Sequence, residues 1–160
     1  MNDKKNRLLD LTSGNYAKEP SIEMGRTLPS ALAFEPLILS SILIDKTAFD
    51  RVSDTLKAEV FYDPRHALIY ETISSMKKRE LPIDFMTLIM ELKRLEKLSL
   101  AGGDTYIVDI TYKVSSTQNL EYYSKVVYEK YVMRGLINTY GAGIDYAYKE
   151  GGDIFDILKQ

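Results

Sequence analysis

The sequence predicts an all-α protein: a small multi-helix globular head followed by a long helix and the start of a helical hairpin arm. Three observations carry this. Apolar residues recur at spacings of three and four, capping residues stand where each helix should begin, and residues 118–149 contain no proline. With 160 residues, 45% hydrophobic and 28% charged, the chain suits a globular domain whose core needs no staples.

The elements follow in order. Residues 1–30 mix polar residues with scattered apolar ones and show no sustained period, so they are expected to form a flexible N-terminal tail. The head is expected over 31–117. Its first helix begins near Glu35-Pro36, because proline is tolerated only in the first turn. The run Leu37 to Ile44 is apolar on nearly every side, which marks a central helix. Asp45 closes it, and the next helix carries Phe49, Val52 and Leu56 on one stripe. Asp63-Pro64 reads as an N-cap with proline at the first helical position. Leu68, Ile69, Ile73 and Met76 then mark a buried face, and Lys77-Lys78-Arg79 the helix end. Leu81-Pro82-Ile83 is an extended connector. Asp84 caps a helix with Leu88, Leu92 and Leu95 on one side, and Gly102-Gly103 precedes a short helix bearing Tyr106, Ile107 and Ile110.

The last region, 118–160, is expected to be a helical hairpin. Residues 118–149 would span about 48 Å as one helix, longer than a head of this size needs. Leu120, Tyr123, Val127, Tyr131, Ile137, Tyr140, Ile144 and Tyr148 make one apolar stripe, and Tyr122, Val126, Met133 and Leu136 a second. One small head does not cover both, so a partner helix is expected. Gly135, Gly141 and Gly143 mark either a kink or a close helix approach. Gly151-Gly152 reverses the chain, Asp153 caps, and Ile154, Phe155, Ile157 and Leu158 start a second arm truncated at Gln160, as expected of a domain taken from a longer protein.

Chemistry is narrowly bounded. The chain has no cysteine, which excludes disulfides, thiol nucleophiles and cysteine-ligated metals, and its single histidine, His66, excludes imidazole-rich sites. A Walker loop needs glycine followed by lysine, and none of the nine glycines is so followed. Asp63 and His66 are better read as a cap and a packed ring than as an acid–base pair. With 21 basic and 23 acidic residues the chain lacks the cationic excess that phosphate binding uses. No apolar run approaches the roughly 18 residues of a membrane span, and no signal peptide stands at the start, so a cytoplasmic location is expected. Twelve tyrosines against five phenylalanines suit interfaces. The reading is a binding module rather than an enzyme, with no catalytic, metal or cofactor residues.

A series of short motifs points further. Ile42-Leu43-Ile44-Asp45, Phe49-Asp50-Arg51-Val52, Phe61-Tyr62-Asp63-Pro64-Arg65-His66, Pro82-Ile83-Asp84-Phe85-Met86-Thr87-Leu88, Gly102-Gly103-Asp104-Thr105-Tyr106-Ile107 and Asn119-Leu120-Glu121-Tyr122-Tyr123 occur in that order. Together they resemble the N-terminal domain of the bacterial replicative helicase, the DnaB-type hexameric enzyme, from about Leu32 to Gln160. The resemblance implies a helical head with a hairpin that pairs between subunits, as a dimer within the parent hexamer's collar. It implies self-association and primase docking, with a helicase loader as a further partner. ATP, magnesium and translocation on single-stranded DNA belong to the parent's C-terminal motor domain. Carried onto this chain, Tyr122, Tyr123, Val126, Val127, Tyr131, Met133, Ile137 and Tyr140 are the expected subunit or partner contacts.

Some positions depart from the family pattern, among them Tyr128 and Tyr131, where charged or aliphatic residues are common. Ser40 stands where a small residue, often glycine, is usual, and Pro36 where a polar one is, which is expected to delay the first helix by a turn. Two other readings are carried beside this one: a stand-alone helical adaptor or regulator that binds a helicase, loader or primase, and a weak single-stranded nucleic-acid-binding helical domain.

Overall fold

A computed structural model of the chain describes residues 27–114 and 116–148. Residues 1–26 of the tail expected over 1–30, and the expected reversal at Gly151-Gly152 with its following arm, lie outside the described residues. Six α-helices and one 3₁₀ turn are present among those described, and no strand: α1 (Glu35–Ile44), α2 (Ala48–Val52), the 3₁₀ turn Ala58–Val60, α3 (Pro64–Lys78), α4 (Phe85–Arg94), α5 (Gly103–Thr111) and α6 (Leu120–Tyr148). The chain divides into two compact units. One is the head, Leu28–Gly135; the other comprises 1–27 and 136–160. The head therefore takes in the first half of α6.

Helix α1 is the hub. Ile38, Leu39, Ile42 and Leu43 are all buried, and α2, α3 and α5 pack around the helix. Such all-round cover is what its nearly uniform apolar sequence requires. It starts at Glu35, so Pro36 sits in the first turn and does not delay it. The 3₁₀ turn had no signal in the apolar periodicity. It buries Val60, and the neighbouring Leu56 carbonyl accepts from the Tyr70 hydroxyl at 3.0 Å.

The caps lie where the chain's chemistry put them. The Asp63 carboxylate accepts from the Arg65 backbone N–H at 2.9 Å at the start of α3. Asp84 accepts from the Thr87 N–H at 2.9 Å while the Thr87 hydroxyl accepts from the Asp84 N–H at 3.1 Å, a reciprocal capping box. Gly102 precedes the first residue of α5. Its φ of +99° is left-handed, and a Cβ there would lie 2.6 Å from Tyr106 Cδ1, so both backbone and packing require glycine. Helices α3 and α4 each end with a left-handed glutamate, Glu80 and Glu96, both at φ 57°. The following N–H donates back to Met76 and Leu92 respectively, at 3.0 and 2.9 Å. These are Schellman closures in which the place usually held by glycine is held by glutamate.

Cations gather at helix ends and are largely spent on ion pairs. Lys77 reaches Asp50 at 2.8 Å and Lys93 reaches Asp104 at 3.0 Å. Arg94 and Arg79 both donate to Glu91, whose carboxylate is almost wholly buried. No helix among the described residues is long and apolar enough to cross a membrane.

Candidate protein-interaction surface on the long helix

The two apolar stripes of α6 meet different fates. Within the head, Leu120 and Val127 join the hydrophobic core, with Tyr123 and Tyr131 packed against it. The helical period puts these residues on one side, with Ser124 buried among them and its hydroxyl donating to the Leu120 carbonyl at 2.8 Å. Val127 was expected to face a partner; at 1% exposure it is instead core of its own head. Tyr123 and Tyr131 likewise spend much of their surface internally. The physical reason is register: positions 120, 127, 131 and 134 fall on the side of α6 nearest the head, so packing takes that stripe first.

The second stripe stays outside. Tyr122 is 62% exposed and Met133 43%, with Val126 half-buried beside them. Tyr128 and Val132 are exposed as well. In the described part of the other unit, Tyr140, Leu136 and Ile144 are exposed and Ile137 is half-buried. On a helical wheel Tyr122, Val126 and Met133 lie opposite Leu120, Val127 and Tyr131. Lys125 and Glu129 interleave with them and are also exposed. Val132 escaped the sequence reading because it belongs to neither stripe, and only the packing of the head shows which side it faces.

The start of α6 is fixed to the head by charge. Arg51 Nε and Nη2 donate to the two Glu121 carboxylate oxygens at 2.7 and 2.8 Å, and Nη2 also to the Thr117 carbonyl at 3.0 Å. The Arg51 hydrogen bonds hold the Glu121 carboxyl below its ordinary pKa. Asp45 joins from the end of α1, accepting from the Thr117 hydroxyl at 3.0 Å. Phe34 packs edge-on to Tyr122, with centroids 6.4 Å apart, and tilted on Tyr123 at 5.3 Å. An anchored helix presents its outer side rigidly, and a rigid aromatic side chain binds at low entropic cost.

The remaining titratable cluster lies inside the head. His66 Nδ1 is 2.7 Å from Glu35 Oε2 and Nε2 is 2.6 Å from the Tyr106 hydroxyl. Glu35 is fully buried and also accepts the backbone N–H groups of Tyr62 and Asp63, at 2.7 and 3.2 Å. An Nδ1–H donated to the carboxylate and an Nε2 accepting from the phenol satisfy the ring completely. The connectivity resembles a relay, but its members tie the beginnings of α1 and α3 to α5. Asp63 is occupied with its cap and with Arg65, so the packed-histidine reading of His66 holds. Glu35 gave no sequence signal, since a helix-start glutamate is ordinarily solvated. Among the described residues no group of three histidine, aspartate or glutamate side chains could hold a metal ion.

The comparisons with known proteins agree with this architecture. The family model described as the DnaB-like helicase N-terminal domain matches residues 27–129. The chain is 32% identical over 148 residues to the replicative DNA helicase DnaB of Mycobacterium leprae, covering 91% of this chain and 24% of that protein. It is 31% identical over 138 residues to that of Rhodothermus marinus, covering 86% of this chain and 15% of that protein. It is 30% identical over 135 residues to the replicative DNA helicase DnaC of Bacillus subtilis, covering 84% of this chain and 30% of that protein. The chain thus spans at most about a third of the length of these relatives. The crystal structure of the N-terminal domain of DnaB helicase from Mycobacterium tuberculosis matches with a TM-score of 0.78 at 30% identity, over 83% of this chain and 94% of that one. An all-helical head and a long helix, in the motif order read from the sequence, place this chain in the family of DnaB-like helicase N-terminal domains.

Proposed function

We propose that this chain serves as the collar and protein-interaction domain of a replicative DNA helicase, through which subunits associate and primase docks during DNA replication. The observation that carries the reading is the two-sided apolar character of α6: the head covers Leu120, Val127 and Tyr131, and leaves Tyr122 and Met133 open. Exposed aromatic and methionine side chains on a fixed helix are the composition of a docking face. The region 118–160 acts as the hairpin in this reading, pairing with its counterpart in a second subunit. Primase, and a helicase loader beside it, meet the assembled collar. Nucleotide hydrolysis and strand separation fall to the motor domain of the complete helicase, in the cytoplasm.

Sedimentation velocity on the whole 160-residue chain tests subunit association. Tyr122→Glu and Met133→Glu are expected to weaken self-association by roughly ten-fold or more, the scale of a centrally placed contact. Lys57→Glu, on the exposed surface of the head, is expected to leave it unchanged. Equal effects of all three, or none, overturn the assignment of this face. Titration of the same variants with the cognate primase tests docking, and undiminished binding by both α6 variants sinks that part.

A further inference from the structure

Within the head, the outer side of α6 carries charge as well as apolar surface. At about 100° per residue, Glu129 falls diametrically opposite the fully buried Leu120, at the centre of the exposed side. Tyr122, Val126 and Met133 lie on one flank of it, and Lys125 and Val132 on the other. Lys125 and Glu129 are both exposed, and among the described residues neither takes part in an ion pair. Several other charged side chains of the head are spent, Glu121 on Arg51, Asp50 on Lys77 and Asp104 on Lys93.

In water an isolated carboxylate is harmless. Once this side is covered it has to meet a cation, because a desolvated charge without a partner costs more than the apolar contacts around it contribute. The charges therefore discriminate between the ways in which a second copy of α6 can pack here. Parallel and in register, Glu129 faces Glu129 at the centre of the contact, and like charges repel. Antiparallel, with the helices crossing at the level of residue 127, each Glu129 meets Lys125 of the second copy. The midpoint between Tyr122 and Met133 falls within one residue of that level, so the same crossing sets Tyr122 against Met133 of the second copy. A two-fold axis across the pair keeps apolar flank on apolar flank and repeats both contacts, as a self-complementary interface requires.

We propose that the outer side of α6 in the head receives a second copy of the chain packed antiparallel, with Lys125 and Glu129 setting orientation and register. The inference rests on the subunit association proposed above and adds its geometry. Tyr122 and Met133 supply the contact area, whereas the two charges reject the parallel arrangement and any partner whose facing surface offers Glu129 no cation.

Sedimentation velocity on the whole 160-residue chain and its charge variants tests this. Lys125→Glu and Glu129→Lys each bring like charges together twice per dimer, and each is expected to weaken self-association by roughly ten-fold. An equimolar mixture of the two variant chains restores opposite charges at both contacts and is expected to associate as the parent does. The absence of cysteine gives a second readout of orientation. Mixed Tyr122→Cys and Met133→Cys chains are expected to form an interchain disulfide under mild oxidation far more readily than either chain alone. A parent chain that stays monomeric defeats the association reading and this inference with it. A parent that associates, with charge variants as tight as the parent or a mixture as weak as the single variants, overturns the inference alone. So does either cysteine variant cross-linking with itself as readily as the mixture, and that comparison decides should a charge variant fail to fold.

Discussion

The Ser40 hydroxyl donates to the Thr111 carbonyl at 3.0 Å and accepts from the Val114 N–H at 3.2 Å, so one small side chain in the middle of α1 closes the end of α5. Ser40 is fully buried, and the position is one where related domains are expected to carry a small residue, often glycine. Size explains only half of it, since the hydroxyl also supplies hydrogen bonds to a helix end. Ser40→Ala is expected to cost about 1–3 kcal/mol, because it strands a carbonyl and an N–H away from water. Urea denaturation monitored by far-UV circular dichroism gives the value, and a loss within experimental error would mean that solvent reaches the Thr111 end of α5.

Glu35 accepts three hydrogen bonds in a fully buried position, from the Tyr62 and Asp63 N–H groups and from His66. Glu35→Ala should cost about 3 kcal/mol or more, as it leaves two backbone donors and the imidazole Nδ1 unpaired. His66→Ala should cost less, because the carboxylate keeps its two backbone donors. Thermal melts of both variants check the order, and a reversed order would place the imidazole at the centre of the network.

Hydrogen bonds from Arg94 and from Arg79 pull the Glu91 carboxyl down to a pKa of about 2, from an ordinary value of 4.5. A group depressed in the folded state contributes stability that is present above its unfolded pKa and is lost as pH falls through the folded one. The Glu91 contribution is therefore complete above about pH 4.5 and fades between there and about pH 2. Glu91→Gln should flatten the acid limb of a stability–pH curve over that window relative to the parent chain. Parallel curves would show that the two arginines are already released in solution.

Glu80 and Glu96 occupy left-handed positions at the ends of α3 and α4. Glycine adopts that conformation without the Cβ penalty, so Glu80→Gly and Glu96→Gly should each stabilise the head by about 1 kcal/mol. The sites share no helix end, and the double variant is expected to be additive. Differential scanning calorimetry decides, and a fall in melting temperature in either variant contradicts the closure described here.

Val127 and Met133 lie on opposite sides of one helix, with Val127 in the core and Met133 open. Val127→Glu buries an unpaired charge and should unfold the head or lower its melting temperature severely. Met133→Glu should leave the melting temperature of dilute chain nearly unchanged. A Met133→Glu variant as damaged as Val127→Glu would mean that both sides are covered within one chain.

Much of the fold was legible because the relevant forces are local. Asp63-Pro64, Asp84 with Thr87, and Gly102 announce helix starts through hydrogen-bond chemistry confined to four or five residues, and the all-round apolar run at 37–44 announced the central helix. The 3₁₀ turn at Ala58–Val60 carries no such signal, since Tyr70 and Arg134 hold it from elsewhere in the head, and glutamate at 80 and 96 does not announce a left-handed residue as glycine would. The same limit applied to the surface. Tyr122, Met133 and Val127 were expected together at a partner interface; the first two are exposed on the chain, whereas Val127 is core.

The linear order of residues determined the helices, the two apolar stripes of α6 and the family to which the domain belongs, because periodicity, capping and motif order are all properties of near neighbours in the chain. Tertiary structure alone decided which stripe the head consumes, that Glu35 and His66 meet across 31 positions, and that Arg134 reaches back to Pro29. Those outcomes depend on how helices orient when they pack, and a helix with apolar residues on two sides offers no local preference for which one turns inward.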